Sequence, residues 1–253
     1  MARHIADYEE RLSEAGTIDA MLDRAKAEMD PLGLTALIYD YTPVTYSHRG
    51  ELITPSFFGM RGVPADMVAL WSDSGFYQID PVQHLALRSA KPFVWSYRSE
   101  DRTVLGRTLT EIHAPVVDYV HDSRITCGMT VPIHLPGGDC ATVTGIRHDA
   151  AHDFDREAQE FLGDFAILAH VLHESVEPLF GPGERQCRAV RLTPRERECV
   201  RFSAEGLSAK EVSLKIGRSE PTVLMHLSAA ARKLDARNKA QLMARAAHYR
   251  LLD

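Results

Sequence analysis

The chain has 253 residues, 45% hydrophobic and 25% charged, with a net charge of −6. These are the values of an ordinary folded protein and exclude a disordered or collagen-like chain, and the length suits two domains. No apolar run reaches the roughly 20 residues that span a membrane, and the N-terminus lacks the apolar core of a secretory signal, so a cytoplasmic protein is expected.

In chain order, Ile18 to Met29 carries the helical period, with Met21, Leu22, Ala25 and Met29 on one face. Leu34 to Tyr41 reads as a strand. Pro64 to Ser74 and Pro81 to Ser89 read as short helices, and Lys91 to Trp95 as a strand edge. Glu111 to Ser123 is helical. Gly128–His134 and Cys140–Arg147 form neighbouring strands joined by the turn Pro136-Gly137-Gly138-Asp139. Asp155 to Phe180 predicts a long helix with more apolar residues than one face needs, which is either core alone or core plus a dimer surface. Helices on an antiparallel sheet make an α/β sandwich of the α+β kind. Residues 181–190, opening Gly181-Pro182-Gly183, read as a linker between a first domain of residues 1–180 and a second of residues 191–253.

The second domain is all helical. Thr193, Pro194 and Glu196 make a capping box with proline in the first turn. Gly206 stops that helix. Ser208 and Glu211 open a second, which Gly217 ends. Ser219 caps a third, striped by Val223, Leu227, Ala231 and Leu234, and Asn238 with Gln241 opens a fourth. A short helix, a tight turn and a longer helix is the helix-turn-helix arrangement, whose second helix enters the major groove of DNA. Residues 185–253 hold 15 basic against 7 acidic residues, so this part is +8 and the first 184 residues carry −14. That asymmetry suits one half that meets a polyanion and one that does not.

The residues just quoted resemble the C-terminal domain of LuxR-type regulators, over about a quarter of the chain. Glu196, Val200 and Gly206 fall on its most characteristic positions, and their own chemistry is structural. The exposed face of the third helix should meet bases through Leu224, Ser228 and Arg232. Leu224 cannot hydrogen-bond a base edge but can touch a thymine methyl. Ser219, Thr222, His226, Arg232, Lys233 and, on the preceding helix, Lys210 are the candidate phosphate contacts, which position without specifying.

The first domain resembles the autoinducer-binding domain of the same family, anchored at Asp80-Pro81, Lys91 to Trp95, Gly128, Val131-Pro132-Ile133 and Thr144. The resemblance implies a small molecule held between helices and sheet. Asp80 would accept the ligand's amide N–H, and Trp95 would wall the head group. Thr144 would offer a hydroxyl, and Gly128 would let the backbone approach the ligand. On its own chemistry Asp80 also suits the cap of the helix that Pro81 begins. Thirteen and nine residues before Asp80, where the family has tryptophan and tyrosine, this chain has Met67 and Trp71. Methionine has no donor for a lactone carbonyl, and an indole is larger than a phenol. The pair is similar to the plant-responsive subgroup of LuxR solos, which respond to plant compounds, ethanolamine derivatives among them. The alternatives are a redirected pocket, or a repacked one that still binds acyl-homoserine lactones.

The expected partners are a small-molecule ligand, double-stranded DNA with an inverted repeat, and a second copy of the chain; no membrane, cofactor or metal is expected. The four cysteines (Cys127, Cys140, Cys187, Cys199) lack paired short spacing and read as reduced thiols. His148 with His152, and His170 with His173, have helical spacing but no completing ligands. No nucleophile elbow or P-loop appears, and Asp40 stands alone where a phosphoreceiver strand would end in paired acids.

Overall fold

In the computed structural model, residues 5–99, 101, 103–148 and 154–252 are described. They fall into two compact units, residues 1–43 with 54–185, and residues 44–53 with 186–253. His152 lies outside the described residues, and His148 turns its Nδ1 to the Thr35 hydroxyl at 2.6 Å.

The first unit is built on strands β1 (Ala36–Thr42), β2 (Phe57–Arg61), β3 (Phe93–Ser96), β4 (Cys127–His134) and β5 (Cys140–Arg147). They pair antiparallel in the order β2-β1-β5-β4-β3. β4 and β5 form the expected hairpin, closed by Leu135 N–H to the Asp139 carbonyl and by Gly138 at φ +85°. That φ is one glycine adopts without strain.

Alternation along the strands splits the sheet into two chemically different faces. Leu37, Tyr39 and Tyr41 point one way, with Val131, Ile133 and Val143. They join a core with α1 (Ile5–Ser13), α2 (Ile18–Met29) and α7 (Phe154–Val176), which contribute Leu12, Leu22, Met29, Phe165, Leu168 and Leu172. Each such side chain contributes about 1.5–3 kcal/mol when taken out of water. The opposite parity, Ile38, Asp40 and Thr42 on β1 against Thr144, Thr142 and Cys140 on β5, is mixed and polar. Over it lie α3 (Met67–Asp73), α4 (Phe76–Ile79), α5 (Pro81–Ala86) and α6 (Ala114–Asp122).

The α/β sandwich is therefore the expected one, with local departures. The long helix stops at Val176 and tightens into a 3-10 turn at Glu177–Leu179, where Pro178 supplies no N–H. Glu111–His113 is likewise a 3-10 turn ahead of Pro115. β2, α1 and α4 were not anticipated.

In the second unit α8 (Pro194–Ala204), α9 (Ala209–Ile216), α10 (Glu220–Lys233) and α11 (Lys239–His248) carry the predicted caps. Thr193 N–H donates to Glu196 Oε2 at 2.8 Å and Ser208 N–H to Glu211 Oε2 at 2.8 Å. Ser219 and Asn238 cap α10 and α11. Gly217, at φ +64°, closes α9. The core gathers Val200, Ala230, Leu234, Leu242, Ala246 and Tyr249.

The continuous first domain expected from the sequence needs correction. Residues 44–53, between β1 and β2, belong to the second unit, because Val44 and Ile53 join its apolar core. Within that unit the His48 ring and Tyr249 hydroxyl meet at 2.7 Å, and Arg49 pairs with Asp235 at 2.7 Å. The chain passes between units at Arg185–Gln186, and Cys187, inside the stretch read as a linker, is buried.

Candidate functional site: a closed cavity on the polar face of the sheet

α3, α5 and α6 close over the polar face of the sheet and leave a cavity lined by Met67, Trp71, Asp80, Gln83, Trp95, Tyr97 and Thr144, among others. Five of the six positions expected to meet a ligand are on this wall. The cavity is about 30 Å³, room for a water or two, so a ligand of drug size has to displace its walls. Met67, with three rotatable bonds and no branch, is the wall residue best able to yield.

Asp80 is buried, 6% exposed, and its two oxygens divide their work. Oδ1 accepts the Val82 N–H at 2.8 Å, capping α5 ahead of Pro81, and the Tyr97 hydroxyl at 3.3 Å. Oδ2 accepts the Trp71 indole N–H at 2.8 Å. A carboxylate has about four acceptor sites, so Oδ2 keeps capacity for one ligand donor. Burial raises the Asp80 pKa above its ordinary value, and the bond from Trp71 acts against that rise.

Trp71 is held in place by Phe76 and Tyr119, with ring centroids 5.2 and 5.5 Å away. Its one donor is spent on the protein. The indole N–H of Trp71 goes to Asp80 and not to the cavity.

Two further expectations change in the same way. Trp95 is an apolar wall only in part, since its indole donates to Thr130 Oγ1 at 2.9 Å, which stands 2.8 Å from Thr144 Oγ1. An indole can only donate, so Thr130 accepts from Trp95, and either hydroxyl of the Thr130–Thr144 pair can donate to the other. Thr144 ends this chain of bonds on the cavity wall. Gly128 is absent from the lining. A methyl group there would collide first with the Gly145 carbonyl oxygen and then with the Trp95 ring, so the missing side chain makes room for the neighbouring strand and the indole.

Three residues here were not anticipated. Tyr97 supports Asp80, and Gln83 lines the cavity and reaches Asp40. Asp40 is 1% exposed within β1, its pKa raised to about 7 by burial, with bonds from Thr142 and Gln83 opposing the rise. Strand alternation, which sets Asp40 opposite in facing to Tyr39 and Tyr41, was the available signal.

On α10, Leu224 is 49% and Met225 57% exposed, Ser228 and Arg232 are exposed, and Thr222 and His226 are half-buried. Lys210 on α9 and Ser219 at the α10 cap are also exposed, the Ser219 hydroxyl lying 2.8 Å from that of Thr222. Lys233 requires correction as a phosphate contact. Its ammonium pairs with Glu196 Oε2 at 2.6 Å, tying α10 to the cap of α8. Arg218, exposed in the turn before α10, is a cation the sequence reading passed over.

An α/β sandwich with a buried polar cavity, followed by a helix-turn-helix, is the build of a ligand-binding transcriptional regulator. Residues 17–176 match the autoinducer binding domain family, and residues 190–246 match the bacterial regulatory proteins of the luxR family. The chain belongs to the LuxR family: it binds DNA and a small molecule, and it is a regulator rather than an enzyme.

It is 28% identical over 230 residues to the quorum sensing-dependent transcriptional regulator RpaR of Rhodopseudomonas palustris, covering 90% of this chain and 86% of that one. It is 30% identical to the transcriptional activator BjaR1 of Bradyrhizobium diazoefficiens, covering 75% and 74%. Escherichia coli SdiA shares the fold at a TM-score of 0.59 and 18% identity, with 98% of each chain covered. No helix among the described residues is long and apolar enough to cross a membrane.

Proposed function

We propose that this chain is a cytoplasmic regulator whose cavity takes a compact non-lactone amide, an ethanolamine-type plant compound being the favoured class. Binding would stabilise a homodimer that reads an inverted repeat. The carrying observation is the Trp71–Asp80 bond. Together with methionine at position 67, it leaves the cavity without the two donors that a lactone's carbonyls require. A ligand shifts activity only by its differential affinity for the two states; here the competent state is the one whose walls have opened.

A second reading, an acyl-homoserine lactone receptor, is supported by the relatives, among them a quorum sensing-dependent regulator. In that case ligand entry would break the Trp71–Asp80 bond and release the indole. Melting the purified chain against both ligand classes separates the two. A ligand at about 100 times its Kd adds about 2.7 kcal/mol. A shift with ethanolamine amides and none with lactones is the expected result; the reverse favours the second reading.

A further inference from the structure

Gln83 sits in α5, 4% exposed, with its side chain on the cavity wall. Its amide is held in one orientation. Nε2 donates to Asp40 Oδ2 at 3.3 Å, and the same oxygen takes the Thr142 hydroxyl. When Asp40 is ionised its oxygens can only accept, which calls for the NH2 end of the amide and not its carbonyl. The carbonyl Oε1 is therefore directed away from Asp40, and it has no hydrogen-bond partner among the described residues. A buried carbonyl with no donor is rare in folded proteins, and each such atom asks for a reason.

The other polar groups of the cavity give that reason a direction. The indole donors of Trp71 and Trp95 and the hydroxyl of Tyr97 are all consumed by the protein. The remaining capacity is on the Asp80 carboxylate and the Gln83 carbonyl, which accept, and on the Thr144 hydroxyl, which can donate or accept. We infer that Gln83 Oε1 forms a second polar subsite, which accepts a hydrogen bond from a hydroxyl or amine on a ligand whose amide N–H is taken by Asp80. This deepens the proposed function and rests on it. The complementary molecule carries two donors and one acceptor, as a hydroxyalkyl amide does. A plain acyl lactone, with one N–H and two carbonyls, has no donor left for Gln83.

The burial of Asp40 supports the arrangement. Its side chain contributes nothing apolar to the fold and is retained in a dry strand, where its visible work is to receive Thr142 and to turn Gln83. Gln83 is thus a specificity residue, and Asp40 positions it.

The test uses the full chain and a matched pair of probes, N-(2-hydroxyethyl)hexanamide and N-propylhexanamide, which differ by a hydroxyl against a methyl. N-hexanoyl-homoserine lactone is the third probe, and Gln83→Met the variant. The wild type should bind the hydroxyethyl amide tenfold to hundredfold more tightly than the propyl amide, the range expected when a buried group is left unpaired. Gln83→Met should abolish that preference. Without any probe it should melt below the wild type, because it takes the Nε2 donor from buried Asp40, and that loss is common to all three probes. Equal binding of the two amides by the wild type overturns the subsite and leaves the amide reading intact. Binding of the lactone alone overturns the proposed ligand class. A Gln83→Met protein that keeps the preference for the hydroxyethyl amide also overturns the subsite.

Discussion

The carboxylate of Asp80 accepts the indole N–H of Trp71 at 2.8 Å through one oxygen and the backbone N–H of Val82 at 2.8 Å through the other. The residue expected to greet the ligand is therefore also the cap of α5 and the anchor of α3. Helix capping leaves part of the Asp80 carboxylate facing the cavity, so the cap and the proposed ligand contact can share one side chain. The same bond takes the indole donor of Trp71 from the cavity, and the proposed ligand class rests on that.

Asp40 makes a pH-dependent contribution of known sign. Its folded pKa is raised to about 7 from an ordinary 3.8. The folded state thus prefers the neutral acid, and the stability from this group is full below about pH 4 and lost as the pH climbs through about 7. Asp80 is shifted in the same direction and His113 and His173 are lowered, so the wild-type profile is a composite. Asp40→Asn isolates the contribution. The melting temperature of the variant relative to the wild type should rise steadily between pH 4 and pH 7.5. A difference that stays constant over that range means Asp40 does not titrate there.

The Glu196 carboxylate is 5% exposed, caps α8 through the Thr193 N–H and receives Lys233 from α10. Removing it takes the acceptor from the Thr193 N–H and the partner from Lys233, at a cost of about 1–2 kcal/mol. Thr193→Ala loses only the hydroxyl half of the box, about 1 kcal/mol. Urea denaturation of both variants should order them wild type, Thr193→Ala, Glu196→Ala. A Glu196→Ala protein as stable as the wild type contradicts the structural role given to this pair.

Arg232 and Leu224 occupy the exposed side of α10 in different chemical roles. Arg232→Ala should weaken binding to all DNA sequences alike and lower the slope of log affinity against log salt by about 0.9, one phosphate contact. Leu224→Ala should leave the salt slope unchanged and lower the preference for sites with a thymine methyl in reach. Fluorescence anisotropy on the target promoter and on a scrambled duplex, across a salt series, reads both. Identical slopes for wild type and Arg232→Ala would remove Arg232 from the interface.

What was legible in the chain followed from local chemistry. Thr193, Ser208, Ser219 and Asn238 each announce a helix start, and each does cap one. Gly137-Gly138 announces the β4–β5 hairpin. Cavity positions were legible only through the resemblance, since Met67 and Thr144 carry no signal of their own. What was missed depends on the tertiary fold. β2 is a five-residue edge strand with a glycine at its centre, where an added side chain would have to push the Leu22 side chain of α2 aside. Residues 44–53 take their place through Val44 and Ile53 in a core assembled from residues some 150–200 positions away, and no local pattern encodes that. Gln83 looked like an ordinary helical residue until Asp40 was seen to fix its amide.

In the proposed function, Met67 and the Trp71–Asp80 bond together turn the cavity away from lactones. Titration calorimetry of N-hexanoyl-homoserine lactone into the wild type and into the double variant Met67→Trp/Trp71→Tyr tests it most directly. The double variant restores an indole N–H and a phenol hydroxyl at the two positions, and should bind the lactone tenfold to hundredfold more tightly than the wild type, the worth of a regained buried hydrogen bond. Tight lactone binding by the wild type, unimproved by the exchange, would contradict the account.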